Sequence, residues 1–167
     1  MKAQFLSENY LKENSPINDN VDMKLLKTAI IDAQEIHILE SLGTGLYNDL
    51  SAKVVAGSLS STEESFIETY LRPALKNWSI VEGIPLLLFK LTNKTVATSD
   101  SDNSKPVEYA DMRYMVNLYR TKAEVFTQRM KNYLIANSTL FPTYGSETAY
   151  DAISPSGTTY TTSWYLD

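Results

Sequence analysis

The chain contains no cysteine and only one histidine, and its 15 lysines and arginines are outnumbered by 20 acidic residues. Without cysteine there is neither a disulfide framework nor a thiolate metal site, which is compatible with cytoplasmic synthesis. With His37 alone, no second imidazole exists to share a metal. The formal net charge of −5 argues against a non-specific nucleic-acid binder, whose affinity comes from Lys and Arg neutralising phosphates. Long apolar runs are missing too. The longest, Ile84 to Phe89, falls far short of the roughly 20 residues that span a bilayer, and Met1 to Glu8 lacks the apolar segment of a signal peptide. The expectation is a soluble protein.

What is present is amphipathic helix. The 43% hydrophobic content is enough for one domain with a real core. Ser7 caps a short helix from Glu8 to about Glu13, ended by Asn14-Ser15-Pro16. A long helix then follows the Asn18 to Asn20 turn and runs to Leu42. At 100° per residue its core stripe is Met23, Leu26, Ala29, Ile30, Ala33, Ile36 and His37, while Ile31, Ile38 and Leu42 fall nearly opposite. That second apolar patch means either a helix sandwiched within its own domain or a contact with another subunit. The three residues are therefore candidate subunit contacts.

Gly43-Thr44-Gly45 forms a structural hinge: Gly43 takes a left-handed cap conformation and Thr44 is available as N-cap for a helix that runs to Ala56 and stops at Gly57. Ser61-Thr62-Glu63-Glu64 reads as a capping box opening a third helix near Thr62. Its stripe is Phe66, Ile67, Tyr70, Leu71, Ala74, Trp78 and Val81, with a kink expected at Pro73. Gly83 and Pro85 interrupt before the apolar Leu86 to Leu91, read as continued helix, and Ser99 to Ser104 has the composition of an exposed loop or hairpin tip. The last helix, about Val107 to Ala136, has the cleanest seam: Met112, Val116, Tyr119, Ala123, Phe126, Met130 and Tyr133. Arg113, Arg120, Lys122, Arg129 and Lys131 sit on it among Glu108, Asp111 and Glu124, as a solvated flank.

The fold class expected is mainly α. It is a compact bundle of four to five helices over residues 1–142, with an extended aromatic C-terminal arm, 143–167, able to add one strand. Alternation at Thr158, Tyr160, Thr162, Trp164 and Leu166 suits that strand, and Tyr160, Trp164 and Tyr165 are candidate partner anchors.

Catalytic chemistry finds little footing. His37 lies on an apolar stripe, where a packed, hydrogen-bonded imidazole is the ordinary outcome. Asp32, Glu35 and Glu40 miss the Glu-x-x-His spacing of di-iron bundles. Gly43-Thr44-Gly45 follows a helix, not a strand, and lacks the lysine of a phosphate-binding loop. No catalytic, cofactor-binding or metal-binding residue is assigned, and the chain is not expected to be an enzyme.

The phrase Ile38-Leu39-Glu40-Ser41-Leu42-Gly43-Thr44-Gly45-Leu46-Tyr47-Asn48-Asp49-Leu50 closely resembles one in the head-to-tail connector (adaptor) proteins of tailed phages, including crAss-like phages that infect Bacteroides. Supporting phrases are Phe5-Leu6-Ser7, Ile17 to Asp22, Ala33 to Ile38, Tyr70 to Leu75, Leu91 to Val96, Tyr133-Leu134 and Phe141-Pro142. Thr95 departs from the pattern, which has glycine there, and residues 143–167 match less recognisably. The resemblance implies a structural virion protein at the head-tail interface, assembled in the host cytoplasm into a ring of about twelve copies. Its partners would be itself, the portal protein and tail or second-ring proteins. DNA would pass through the channel without specific binding, and neither a membrane nor a cofactor is involved. A tail-completion or stopper protein is the alternative, and a small helical enzyme or ligand-binding regulator the outside one.

Overall fold

The computed structural model describes residues 3–91, 96–98, 109–146 and 153–155, with side chains described throughout except at 88–91, 96–98 and 109. The chain is a mainly helical bundle. Helix α1 (Glu8–Glu13) starts at the Ser7 cap, whose hydroxyl accepts from the Tyr10 N–H. Helix α2 (Met23–Ala33) starts at Asp22, whose carboxylate accepts from Lys24 N–H. Both are side-chain oxygens filling orphan donors at a helix start.

A π-helical turn, Gln34–Ile38, joins α2 to α3 (Leu39–Ala56). The wider turn changes which residues face inward. Leu26, Ile30, Gln34, Ile38, Leu42, Leu46 and Leu50 are all buried, a four-residue repeat that an unbroken α-helix would let drift by about 40° per step. The π turn takes up one residue of that drift, and Gly43, at φ 74° and ψ 159°, takes up more. The helix breaks at Gly43, as expected. The conformation, however, is the extended, glycine-only one at positive φ and not the left-handed helical cap. Gly57, at φ 63° and ψ 33°, is a true left-handed cap ending α3.

The register shift corrects the face assignment on this helix. Ile38 and Leu42 are 0% exposed and belong to the domain's own core, while Ile31 is half-buried. Ile36, placed by projection in the core stripe, is instead 53% exposed, and Met23, ahead of the π turn at the first position of α2, is 46% exposed. Of the two readings of the second patch, the sandwich within the domain holds.

Helix α4 (Ser61–Phe66), a second π turn (Ile67–Leu71) and α5 (Arg72–Leu88) form one continuous path. The capping box lies one residue earlier than expected: the Ser60 hydroxyl accepts from Glu63 N–H and the Glu63 carboxylate accepts from Ser60 N–H. Pro73 is the second residue of α5, one residue beyond the end of the π turn. The widened turn leaves room for a proline ring that has no N–H to give. Helix α5 runs on through Gly83 and Pro85 to Leu88, then a short antiparallel hairpin forms from β1 (Phe89–Leu91) and β2 (Val96–Thr98). Leu86 to Leu91 is thus part helix and part strand. Residues 92–95 and the Ser99 to Ser104 tip lie outside the described residues.

Helix α6 (Tyr109–Ala136) closes the bundle. Helix α5 is central, packing against α2 on one side and α6 on the other. A Cβ on Gly83 would lie 3.5 Å from the Ala29 Cβ, so α2 and α5 approach closely there. On the α6 side, the Trp78 indole N–H donates to Thr127 Oγ1 at 2.9 Å. Below it, Tyr70 and Tyr133 stack at 4.1 Å and Phe66 meets Phe141 at 5.0 Å. The expected seam is the buried one, with Tyr119, Ala123 and Met130 innermost.

Candidate functional site

The interior holds polar side chains on the first π turn and its neighbours. His37 stacks its ring on Trp78, centroids 3.7 Å apart and 8° from parallel, and its Nε2 lies 2.8 Å from Glu82 Oε1. With one face covered by indole and one nitrogen engaged by a carboxylate, the imidazole joins the first π turn to α5. Gln34, 3% exposed, accepts from Phe5 N–H and donates to Ala3 O and to the Tyr47 hydroxyl, which in turn donates to Glu35 Oε1. Burial pushes the Tyr47 hydroxyl up to about 12, with Gln34 opposing and Glu35 adding to the shift. Tyr47 is therefore a neutral donor that fastens the N-terminal segment. The groove beside it, about 540 Å³, is lined by Glu35, Tyr47, Asn48, Ser51 and Val55 among others. Among the described residues no three His, Asp or Glu side chains gather as a metal site, and no helix is long and apolar enough to cross a membrane.

The basic residues of α6 divide. Arg113, Arg120, Lys122 and Arg129 are exposed, as expected of a solvated flank. Lys131 is not: it is 5% exposed, and burial holds its ammonium below the usual lysine range while the charge of Glu40 pulls the other way.

Among the described residues, one group of exposed apolar side chains lines the outside of α6. Tyr114, Leu118 and Val125 are 67%, 37% and 58% exposed, and at 100° per residue they share an arc of about 40° opposite the seam. Sequence reasoning looked for the spare face on the first long helix and missed this one. Its signal was present, since 114, 118 and 125 are spaced for one stripe, but the stronger inward seam drew the projection.

The hinge residues Gly43, Thr44 and Gly45 lie together at the break in α3. Thr44 does not use its hydroxyl on the helix start in the way expected: Oγ1 accepts from Ile153 N–H at 2.8 Å, and Thr44 N–H donates to Ile153 O at 2.8 Å. A segment 109 residues further on is clasped to the hinge by two bonds. Closer to α6, Tyr144 packs against the core and donates its N–H to Phe141 O. The described parts of the 143–167 arm are thus both seated on the helices. The expected strand from Thr158 to Leu166, with Tyr160, Trp164 and Tyr165, lies outside the described residues.

Residues 38–153 match the model of DUF6712, a family of unknown function. The chain belongs to that family. The span matched in this DUF6712 protein contains the hinge, the α6 stripe and both halves of the Thr44–Ile153 clasp. No curated protein and no solved structure matches it.

Proposed function

We propose that this DUF6712 protein is a structural virion subunit, a head-tail connector that forms a ring between portal and tail. The observation that carries the reading is the Tyr114, Leu118 and Val125 stripe on α6. A ring is built by repeating one heterologous contact, so each copy must present an apolar surface its own fold leaves open. The resemblance of the phrase from Ile38 to Leu50, and of the shorter phrases that follow it in order, supplies the connector part. A net charge of −5 suits a channel wall past which DNA slides without binding.

The test is to mix the purified chain with a portal protein and image the product by negative stain. Rings stacked on the portal, lost when Leu118 is changed to Asp, support the reading. A chain that stays monomeric at high concentration and leaves the portal undecorated overturns it.

A further inference from the structure

We infer that the α6 stripe of one copy seats on the acidic face around Ile36 of the next copy, so that one repeated contact joins two different surfaces of this chain. The inference rests on the ring reading and names the partner of the stripe that carries it. At 100° per residue, Arg113 and Arg120 border Tyr114, Leu118 and Val125 on one side of α6, and Lys122 and Arg129 border them on the other. All four are exposed. Asp111 and Glu124 are the acidic residues of this helix, and neither falls between Met112 and Ala123. The stripe is an apolar ridge with a basic rim.

The complement lies on the first π turn. Ile36 is 53% exposed, and within four residues of it stand Asp32, Glu35 and Glu40, the last exposed and the other two half-buried. From Thr28 to Ala52 the chain carries no lysine or arginine, so the run itself supplies no counter-charge. Beside Glu35 the surface is concave: the groove of about 540 Å³ that Glu35 shares with Tyr47, Asn48, Ser51 and Val55 gives a projecting ridge room to enter. Helix α5 stands between α2 and α6, and the stripe lies on the side of α6 turned away from the seam, so the ridge and the Ile36 face do not meet within one chain. Two unlike surfaces turned apart, repeated from copy to copy, make the head-to-tail contact from which a ring closes. A basic rim against an acidic one fixes the register of that contact and opposes pairing of like with like.

The test reverses the charge on each surface and then restores the match. Arg120→Glu with Lys122→Glu, or Asp32→Lys with Glu40→Lys, should each cut the yield of rings on portal about tenfold or more, because like charges then face each other across the contact. The chain carrying all four changes should return to within about twofold of the parent, the recovery that marks a direct pairing. Copies reversed on α6 alone, mixed with copies reversed at the π turn alone, should also associate, so that a tag on one type co-purifies the other. Glu40 also feels the charge of the buried Lys131 of its own chain, so Asp32→Lys alone is the second variant, and circular dichroism of each monomer checks that the fold is kept. Parent rings matched in yield by either reversed chain overturn the pairing, leave the ring standing and assign the stripe to the portal or tail. Losses in both reversed chains without recovery in the combined variant also overturn the pairing. A parent chain that never assembles overturns both readings.

Discussion

The helical run from Met23 to Ala56 is interrupted at the π turn and at Gly43, whereas α6 runs from Tyr109 to Ala136 as one α-helix. The first run keeps a buried residue at every fourth position from Leu26 to Leu50, and so must repeatedly correct its own twist. The second follows steps of four and three on its seam, which an α-helix tracks unaided, and Tyr114, Leu118 and Val125 on its far side are exposed among the described residues. Irregularity marks the region that belongs wholly to the domain. Regularity marks the one with a face to spare.

The sharpest way to break this comparison is to place the same charge in both regions. Ile38→Asp should cost about 4 kcal/mol or more, because an unpaired carboxylate enters a closed apolar site. Val125→Asp should shift monomer stability by no more than about 0.5 kcal/mol while suppressing assembly. Urea unfolding followed by circular dichroism measures both, and equal losses would erase the distinction.

The interruptions can be weighed next. Gly43→Ala forces a Cβ into a glycine-only backbone region and should cost about 2 kcal/mol. Gly57→Ala meets open space, so it should pay only the left-handed penalty of about 1 kcal/mol. If the two melting temperatures fall equally, Gly43 is an ordinary cap. On α6, Thr127→Val removes the acceptor of the buried Trp78 indole and should cost about 1.5 kcal/mol, a loss that Thr121→Val, on the exposed side, should not share.

The smallest effect concerns pH, at the helix start that lies in sequence between the two regions. Burial opposes ionisation of Glu63, but Lys53 and the Ser60 N–H and hydroxyl outweigh it and hold the carboxyl below its ordinary 4.5. A group lowered on folding stabilises above its ordinary value and loses that contribution as pH falls through the native one. Glu63→Gln should therefore be less stable than the parent by about 1 kcal/mol at neutral pH, with the gap closing on acidification below 4.5. A gap independent of pH would show that the carboxylate charge contributes nothing.

Much of this was legible in the sequence wherever a local rule decides the outcome. Ser7 before α1, Gly57 after α3 and the α6 seam depend on near neighbours and constant helical advance. Projection failed at Ile36, Ile38 and Leu42 because it assumes that advance never changes, and one π turn rotates everything beyond it. The capping box slipped because Ser60-Ser61-Thr62-Glu63-Glu64 satisfies the Ser-x-x-Glu spacing twice. Leu86 to Leu91 is apolar on all sides, a pattern in which helix and strand are indistinguishable. The Thr44–Ile153 clasp joins residues 109 apart, and no local pattern announces it.

The imidazole lying flat on Trp78 gives the protein an optical reporter of its own interior. Indole emission depends on what the ring touches, so light from Trp78 responds to the imidazole stacked 3.7 Å away and to any parting of the π turn from α5. The chain has one other tryptophan, Trp164 in the arm. Once Trp164 is replaced by Phe, the remaining tryptophan fluorescence, excited beyond the tyrosine absorption, comes from Trp78 alone, and any loosening of the core around it can be watched without attaching a label.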